Sequence, residues 1–497
     1  MQIFNYSGDD FDLYGQFGGD TDTATGPWSA PQTGGPIDAT VRIPGSKSLT
    51  NRELILAALA AEPTVLRGAL LARDTRLMIS ALEKLGVDIE VNHDRHGTPT
   101  ITVTPPDEFS GAVDIDCGLA GTVMRFVPTV AALALGPVTF DGDEGARLRP
   151  MGGTLQALRA LGVQVRDDGR GRLPFSIFGT GSITGGDIEI DASASSQFVS
   201  GLLLSAPRFD EGLTLRHTGA GLPSLPHIEM TLATLRARGV DARTIDERTW
   251  RVEPGPIRGG DIVIEPDLSN AAPFLIAAVV CGGTVRIPDW PTTTTQVGDH
   301  LRELLAPFGA ECTLDDRALT CTVANGIAQG AEISGADLNL EHAGELAPNL
   351  AALLALCHGP STLTGIAHLR GHETDRLAAL AAELSRVGCQ VTELEDGLHI
   401  VPSARNAALW QCYADHRMAT SGAIMGLVTD GITVDDIECT SKTLPDFAEM
   451  WCSMLGVDAA ASADTSVRDE FIHFDVPQRS TPSTDTSTST DRPGDAR

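Results

Sequence analysis

The chain has 497 residues, of which 42% are apolar. This length suffices for a large buried core and is typical of two or more domains. No apolar run approaches the ~20 residues that span a bilayer, and the acidic N-terminus lacks a basic segment followed by an apolar one. We therefore expect a cytoplasmic protein with no membrane segment and no signal peptide.

The net charge is −30, from 66 acidic and 36 basic residues. Such a surface repels nucleic acid and anionic membranes, so neither is expected as a partner. A small anion can bind only where basic groups are concentrated in a protected cleft. Three basic residues are lysines, and two of them, Lys47 and Lys442, lie in segments rich in Ser, Thr and Arg. Because an ammonium group can be tuned to give up a proton and a guanidinium cannot, one of these lysines is a candidate acid.

Nine cysteines are dispersed without a C-x-x-C motif, which argues against a disulfide framework and against a structural zinc site. We expect them to be buried, reduced thiols. His368 and His372 are four residues apart, but no third ligand accompanies them. The sequence therefore predicts no metal site.

The two ends of the chain differ from the body. Residues 1–36 and 459–497 are predicted to be tails too polar to bury a core. In the body, a helical pattern ends in glycine before a short strand pattern six times. These glycines, 68 to 79 residues apart, are Gly86, Gly162, Gly239, Gly309, Gly388 and Gly456. Glycine at this place predicts a helix C-cap, because it adopts the left-handed conformation without a steric cost.

A second pattern alternates with the first. Small-residue, apolar helices such as NAAPFLIAAVV and MATSGAIMGLV precede strand patterns in all six units. Two helices and several short strands in each unit predict an α/β protein. Because these Ala-rich helices have no clear polar face, we expect them to be buried inside a ring of sheets. Six units divide naturally into two three-unit domains with a cleft between them.

Short polar segments precede several helices in the first half of the chain. In PGSKSLTNR, residues 44–52, hydroxyls, backbone N–H groups, Lys47 and Arg52 together indicate an anion seat. The segment is not a P-loop, and an ordinary capped helix start is the alternative. DCGLAGTVMR, RLRPMG and ASASSQF repeat the pattern and contain Gly121, Arg125, Arg149, Ser195, Ser196 and Gln197.

The second half has comparable segments. GHETDRL contains Glu373 and Arg376, which are either site residues or a surface ion pair. YADHRM and CTSKTLPDF place Arg417 and Lys442 at predicted helix starts. Glu345, which precedes an apolar helix, is either a capping charge or a general base. Helix N-termini that converge from both halves would form a basic pocket for small polyanions.

In this order, the segments PGSKSLTNR, AGTVMR, RPMG, SSQF, ETDRL, DHRM and KTLPDF resemble those of the 5-enolpyruvylshikimate-3-phosphate synthases over about residues 40–456. The resemblance implies two inside-out α/β barrel domains, each of three βαβαββ units, formed by residues 47–263 and by 37–46 plus 264–458. It also implies transfer of the enolpyruvyl group of phosphoenolpyruvate to the 5-hydroxyl of shikimate 3-phosphate. A monomer that needs no cofactor is expected, as is inhibition by glyphosate, for which Gly121 leaves room.

The resemblance also implies site residues. Those for shikimate 3-phosphate are Lys47, Ser48, Arg52, Ser195, Ser196, Gln197, Ser224, Glu345 and His372. Those for phosphoenolpyruvate are Lys47, Gly121, Arg149, Gln197, Arg376, Arg417 and Lys442, with Arg125 as a supporting cation. The chain departs from the family at Leu119, His227, His368 and His372, where asparagine, tyrosine, asparagine and lysine are common. With histidine at position 372, we expect substrate binding to depend on pH near neutrality.

By the same resemblance, Glu345 takes the proton of the 5-hydroxyl, and either Lys47 or Glu373 protonates the methylene carbon of phosphoenolpyruvate. Lys442 is a candidate for protonating the leaving phosphate. One alternative is enolpyruvyl transfer to UDP-N-acetylglucosamine, whose enzymes carry Lys-Asn-Ala and a reactive loop cysteine, whereas this chain has SKS, and Cys117 before AGT. A non-catalytic polyanion-binding protein of the same fold is the other alternative.

Overall fold

The structure, a computed structural model, describes residues 26–95, 97–371 and 373–459. The predicted substrate contact of His372 lies outside these residues, as does most of both predicted tails. Within the described part of the chain, no helix is long and apolar enough to cross a membrane.

The described residues form 24 β-strands and 13 α-helices. The strands are β1 (Trp28–Ser29), β2 (Ile37–Thr40), β3 (Thr64–Arg67), β4 (Asp88–His93), β5 (Pro99–Thr104), β6 (Phe109–Ser110), β7 (Val113–Asp116), β8 (Ala134–Asp141), β9 (Gln164–Arg166), β10 (Phe175–Thr180), β11 (Gly186–Ile190), β12 (Leu213–His217), β13 (Ala242–Asp246), β14 (Thr249–Val252), β15 (Gly260–Val263), β16 (Gly283–Pro288), β17 (Glu311–Leu314), β18 (Ala318–Val323), β19 (Asp337–Asn339), β20 (Ser361–Thr364), β21 (Gln390–Glu393), β22 (Leu398–Val401), β23 (Ala408–Trp410) and β24 (Ile432–Val434). The helices are α1 (Lys47–Ala58), α2 (Arg73–Lys84), α3 (Gly121–Ala131), α4 (Glu144–Leu148), α5 (Gly152–Ala160), α6 (Gln197–Ser205), α7 (Leu225–Ala237), α8 (Ala272–Cys281), α9 (Leu301–Leu304), α10 (Ala347–Leu356), α11 (Arg376–Val387), α12 (His416–Gly426) and α13 (Phe447–Leu455).

The described strands form six sheets, one for each predicted repeat. In the third sheet, β11 runs parallel to β12, and β14 and β13 continue it as an antiparallel hairpin. One helix connects the parallel pair and a second leads to the hairpin, which gives the order βαβαββ. The α/β class and the six repeats are confirmed.

Two strands are exchanged between the halves of the chain. β2 lies parallel to β16, and β15 lies parallel to β3, so the chain crosses between the halves after β2 and after β15. Each half has its own hydrophobic core. We call the half with core residues 54–264 the first lobe, and the half with core residues 28–43 and 268–454 the second lobe. The two cores support the domain boundaries near residues 46 and 264, which stay a prediction.

Three helices pack together at the centre of each lobe. These are α1, α3 and α6 in the first lobe and α8, α10 and α12 in the second. Every residue of α3, α8, α10 and α12 is buried, as predicted from their lack of a polar face. Small residues allow this close approach: a methyl group on Gly201 of α6 would collide with the carbonyl oxygen of Arg125 in α3. The six predicted cap glycines all have positive φ, from 69° to 118°.

Two expectations, about the N-terminal tail and about the cysteines, are wrong. Trp28 and Ser29, inside the predicted N-terminal tail, form β1, which pairs with β24. The Trp28 indole is buried, and its large apolar area stabilises this two-residue strand in the sheet. In addition, Cys312 and Cys321 form a disulfide, whereas we expected free thiols. These cysteines lie directly opposite each other on β17 and β18, where cross-strand side chains are close enough to bond.

Candidate active site

A cavity of about 400 Å³ is lined by residues of both lobes. All six central helices begin at this cavity, since residues at or just before each of their N-termini form its wall. The outer helices α7 and α11 also begin here. The partially positive N-terminal ends of these helices therefore face one space. In a chain of net charge −30, this arrangement concentrates positive potential at a single site.

The first lobe contributes hydroxyl groups to the wall. Ser46 caps α1 by accepting a hydrogen bond from the Leu49 N–H at 3.4 Å, and Ser195 accepts one from the Gln197 N–H at 3.2 Å. Ser224, which precedes α7, has φ of 53°, a left-handed conformation that is uncommon for residues with a side chain. These hydroxyls lie at helix N-termini, where an anion is stabilised by both the hydroxyl and the free backbone N–H groups.

Gly121, at the start of α3, is surrounded by three polar groups. A methyl group here would lie 3.0 Å from Arg125 Nη1 and Arg149 Nη2, and 3.1 Å from Gln197 Oε1. Arg149 Nη1 donates to the Leu119 carbonyl at 3.0 Å, which aims its other groups at the cavity. Among the described residues, Gln197 Oε1 and the Nε of both arginines are buried without a partner. Buried polar atoms are nearly always paired, so these three unpaired atoms at the cavity wall are candidate ligand contacts.

In the second lobe, Glu345 is held by two neighbours. Arg417 Nη2 donates to Glu345 Oε2 at 2.9 Å, and Ser269 Oγ donates to Oε1 at 2.7 Å. Burial alone would raise the pKa of Glu345, but Arg417, His227 and Ser269 lower this pKa to about 2. Glu345 is therefore an ionised carboxylate at neutral pH, fixed at the head of α10.

A second network joins Arg376, Asp415, Glu373 and Lys442. Arg376 donates to Asp415 with Nε at 2.7 Å and Nη2 at 3.2 Å, and also to Glu373 at 3.2 Å. Lys442 Nζ donates to the other oxygen of Glu373 at 2.9 Å. Burial would raise the pKa of Glu373, but Lys442 and Arg376 lower it well below its usual value. The fully buried Asp415 also accepts from the Arg417 N–H at 2.9 Å, and so couples the two arginines.

The lobes contact each other at Lys47. Its backbone N–H donates to Asp267 of the second lobe at 3.2 Å, and its Nζ donates to Asp74 of the first lobe at 3.4 Å. Helix α2, which contains Asp74, packs against the 3₁₀ helix Ile437–Lys442 of the second lobe. Groups of both lobes therefore meet around the two lysines.

Most predicted site residues line the cavity. They are Lys47, Ser48, Gly121, Arg125, Arg149, Ser195, Ser196, Gln197, Ser224, Glu345, Glu373, Arg376 and Arg417. Arg52 lies behind this wall, where it donates to Thr231 Oγ1 and to the carbonyls of Ser48 and His227, each at 2.9 Å. Burial lowers the pKa of Arg52 to about 9, so it is charged at neutral pH.

Lys442 also lies behind the cavity wall, where its Nζ donates a hydrogen bond to Glu373. The prediction that it begins a helix is wrong, because it ends the 3₁₀ helix Ile437–Lys442. The next helix, α13, begins only at Phe447, after Pro445 and the left-handed Asp446. Glu373 precedes α11 and pairs with Arg376, but the pair lies in the cavity wall and is not the surface ion pair that was the alternative.

Several polar residues of the cavity were missed, among them Asp74, Asp267 and Ser269. Asp74 occupies the first turn of α2, where an acidic residue is ordinary, so the sequence gives no signal there. Asp267 and Ser269 precede α8. Since α8 alone among the six central helices had no predicted site residue, the repeat itself could have indicated them.

Two of the departures from the family pattern lie at the cavity. His227 and His368 line it, and burial lowers the pKa of both, to about 4 for His227. Both are therefore neutral at neutral pH. Leu119 contributes its carbonyl to Arg149 rather than a side-chain amide. In the described residues, no group of three or more His, Cys, Asp or Glu side chains is placed to hold a metal ion.

Solved structures share this architecture. An EPSP synthase from Acinetobacter baumannii matches with a TM-score of 0.70 at 24% identity, over 86% of this chain and 97% of that one. The enolpyruvyl transferase NikO from Streptomyces tendae matches with a TM-score of 0.66 at 18% identity, over 87% and 98% of the two chains. The chain therefore has the fold of these two proteins, an EPSP synthase and an enolpyruvyl transferase.

Sequence comparison identifies the family within this class. The family model of EPSP synthase (3-phosphoshikimate 1-carboxyvinyltransferase) matches residues 31–451. A 3-phosphoshikimate 1-carboxyvinyltransferase from Kocuria rhizophila is 56% identical over 435 residues, which cover 86% of this chain and 96% of the relative. The chain belongs to the EPSP synthase family.

Proposed function

We propose that this chain transfers the enolpyruvyl group of phosphoenolpyruvate to the 5-hydroxyl of shikimate 3-phosphate and releases phosphate, on the route to chorismate and the aromatic amino acids. The observation that carries the proposal is the cavity, where helix N-termini and cations of both lobes face one space in a strongly acidic chain. Family membership supports the same reaction. A volume of about 400 Å³ is in the range of small-molecule sites.

Shikimate 3-phosphate binds on the first-lobe side. Its phosphate is suited to the hydroxyls and free N–H groups at the starts of α6 and α7, and Lys47 adds a positive charge. Arg52 supports this seat from behind through the Ser48 and His227 carbonyls. Its residues are those proposed from the sequence: Lys47, Ser48, Arg52, Ser195, Ser196, Gln197, Ser224, Glu345 and His372.

Phosphoenolpyruvate binds beside Gly121. Arg125 Nη1 and Arg149 Nη2 lie around Gly121 and can donate to the anionic oxygens of phosphoenolpyruvate, while the unpartnered Gln197 Oε1 is an acceptor and needs a donor. Arg376 and Arg417 approach from the second lobe. Both are paired with carboxylates, so the substrate must share these arginines with Asp415 and Glu345.

Glu345 is the general base. Because Arg417 lowers its pKa, the carboxylate is ionised but weakly basic before substrate binds. An anion that shares Arg417 offsets this effect and makes the carboxylate more basic when both substrates are present. The oxygen of the 5-hydroxyl then bonds to C2 of phosphoenolpyruvate while Glu345 takes its proton.

Lys47 is the acid that protonates the methylene carbon of phosphoenolpyruvate. Glu373, the other candidate, is an ionised carboxylate between Lys442 and Arg376 and has no proton to give. In the second step the C2–O bond to phosphate breaks, and phosphate leaves with the bonding electrons and a proton from Lys442. The methyl group returns a proton to Lys47, which regenerates the double bond, and solvent restores the remaining protons as the products leave.

The alternative acceptor, UDP-N-acetylglucosamine, is disfavoured by the cysteine. Cys117 is fully buried, and burial raises the pKa of its thiol to about 12. A protonated, buried thiol is not a reactive one. A non-catalytic polyanion-binding protein would not need an ionised carboxylate among its cations. We also propose, on the family expectation, a cytoplasmic monomer inhibited by glyphosate.

The test is phosphate release from phosphoenolpyruvate, measured with a coupled assay. We expect release that requires shikimate 3-phosphate and is absent with UDP-N-acetylglucosamine. Release with UDP-N-acetylglucosamine alone would favour the first alternative. Binding of both shikimate-pathway substrates without any release would favour the non-catalytic protein.

A further inference from the structure

Asp74 is a buried carboxylate that the mechanism above does not use. Its side chain is 3% exposed, lies in the first turn of α2 and lines the cavity. A buried carboxylate is costly unless an opposite charge compensates it. Its neighbour Arg73 does not do so, because Arg73 pairs with Asp143 at the surface.

Two lysines, one from each lobe, are placed to compensate this charge. Lys47 Nζ of the first lobe donates to Asp74 Oδ2 at 3.4 Å. Lys442 of the second lobe ends the 3₁₀ helix that packs against α2. Burial lowers the pKa of Lys442, but the attraction of Glu373 and then of Asp74 raises it above its ordinary value.

We propose that Asp74 is a positioning residue that holds both proton-donating lysines, Lys47 directly and Lys442 across the lobe boundary. The assignment rests on the proposed enolpyruvyl transfer, in which Lys47 serves the methylene carbon and Lys442 the leaving phosphate. One carboxylate thus aligns the two acids with each other only when the lobes are together. Transfer of a proton is sensitive to small displacements of the donor, so this alignment affects turnover more than binding.

The surrounding charges make Asp74 the natural counter-charge. Glu373, Arg149 and His416 also face Lys442, and burial keeps His416 neutral by lowering its pKa. Asp267 accepts a hydrogen bond from the backbone N–H of Lys47, whereas Asp74 accepts one from the Lys47 ammonium group. Glu373 contacts Lys442 directly at 2.9 Å, and Asp74 adds a second negative charge against the repulsion between Lys442 and Arg149.

The test compares Asp74→Asn with Asp143→Asn. Asp143 is a matched control, because it accepts from Arg73, the residue before Asp74, but lies at the surface and 39% exposed. Phosphate release is measured from pH 6 to 10. We expect Asp74→Asn to lower kcat by at least about 10-fold, with KM for shikimate 3-phosphate changed by less than about threefold. In the profile of kcat against pH, the decrease at alkaline pH moves to lower pH, because the variant lacks a carboxylate that favours the ammonium form of the lysines.

Asp143→Asn should keep kcat within about twofold of the wild type and leave the pH profile in place. A second comparison uses Lys442→Met: if Asp74 acts on Lys442, Asp74→Asn should have an effect at least about threefold smaller in that background. A wild-type chain that releases no phosphate would overturn the proposed function and this assignment together. An active wild type with unchanged kcat and pH profile in Asp74→Asn would overturn the assignment alone. So would a loss of kcat that is fully additive with Lys442→Met and leaves the decrease at alkaline pH unmoved.

Discussion

The two lobes build their sides of the cavity differently. The first lobe uses hydroxyls and helix N-termini, such as Ser195 and Ser196 at the start of α6, with few carboxylates among them. The second lobe uses arginines that its own carboxylates already hold, as in the pairs Arg417–Glu345 and Arg376–Asp415. A ligand can therefore rest on the first lobe without rearranging it, whereas on the second lobe it must compete for cations. The first lobe thus offers a site that is largely formed before a ligand arrives, whereas the second lobe supplies the base, Glu345, and arginines that a ligand must share.

The largest expected effect follows from removing the base of the second lobe. Glu345→Gln keeps the shape of the side chain and its bond to Ser269 but cannot take the proton of the 5-hydroxyl. We expect kcat to fall by ~10² or more with little change in KM, as for loss of a positioned base. Steady-state phosphate release measures both constants, and near-normal turnover would reject the role of Glu345.

The next effect concerns how the second lobe holds an anion. Arg376→Lys loses the two-pronged contact with Asp415, because an ammonium group cannot reproduce the planar fork. We expect KM for phosphoenolpyruvate to rise by about 10-fold or more, and KM for shikimate 3-phosphate to rise less. The control is Arg386→Lys on the same helix, because Arg386 pairs with Glu383, is 45% exposed and does not line the cavity. If both variants raised KM for phosphoenolpyruvate equally, this would contradict the role of Arg376 in binding phosphoenolpyruvate.

On the first lobe, Gly121→Ala tests the space beside α3. The added methyl group would lie 3.0 to 3.1 Å from three polar atoms, so Arg125, Arg149 or Gln197 must shift by a few tenths of an ångström. We expect KM for phosphoenolpyruvate to rise by about 10-fold, since misplaced ligand groups weaken binding steeply. Gly152→Ala is the control, because a methyl group there meets nothing within 4 Å. An unchanged KM in Gly121→Ala would place phosphoenolpyruvate elsewhere.

The smallest expected effect is on stability in acid. A histidine of the first lobe and a carboxylate of the second lobe affect this stability over different pH ranges. Burial lowers the pKa of His227 to about 4 from 6.5, so between these values the unfolded chain binds a proton that the folded chain does not. Stability is thus lost as pH falls from 6.5 to 4, whereas Glu345, with its pKa near 2 instead of 4.5, loses its stabilising contribution only below pH 4.5. We expect His227→Gln to flatten the melting temperature between pH 6.5 and 4. Parallel curves for variant and wild type would refute this.

Much of this arrangement could be predicted because it is local in sequence. A C-cap glycine such as Gly86 and a helix start such as that at Lys47 are set by neighbouring residues, so repeats and anion seats were visible in the chain. The role we propose for Asp74 could not be predicted, because Lys442 is more than 360 residues away and its 3₁₀ helix meets α2 only through tertiary packing. The disulfide of Cys312 and Cys321 depends on the register of two strands, which the cysteine spacing did not indicate.

The central claim is that the two lobes hold both substrates in one cavity at the same time. Its most direct test is the initial rate of phosphate release measured while the concentrations of phosphoenolpyruvate and shikimate 3-phosphate are both varied. Simultaneous occupancy predicts intersecting double-reciprocal lines and no phosphate release when either substrate is omitted. Parallel lines, or phosphate release from phosphoenolpyruvate alone, would mean that the substrates react with the enzyme in turn and would contradict the shared cavity.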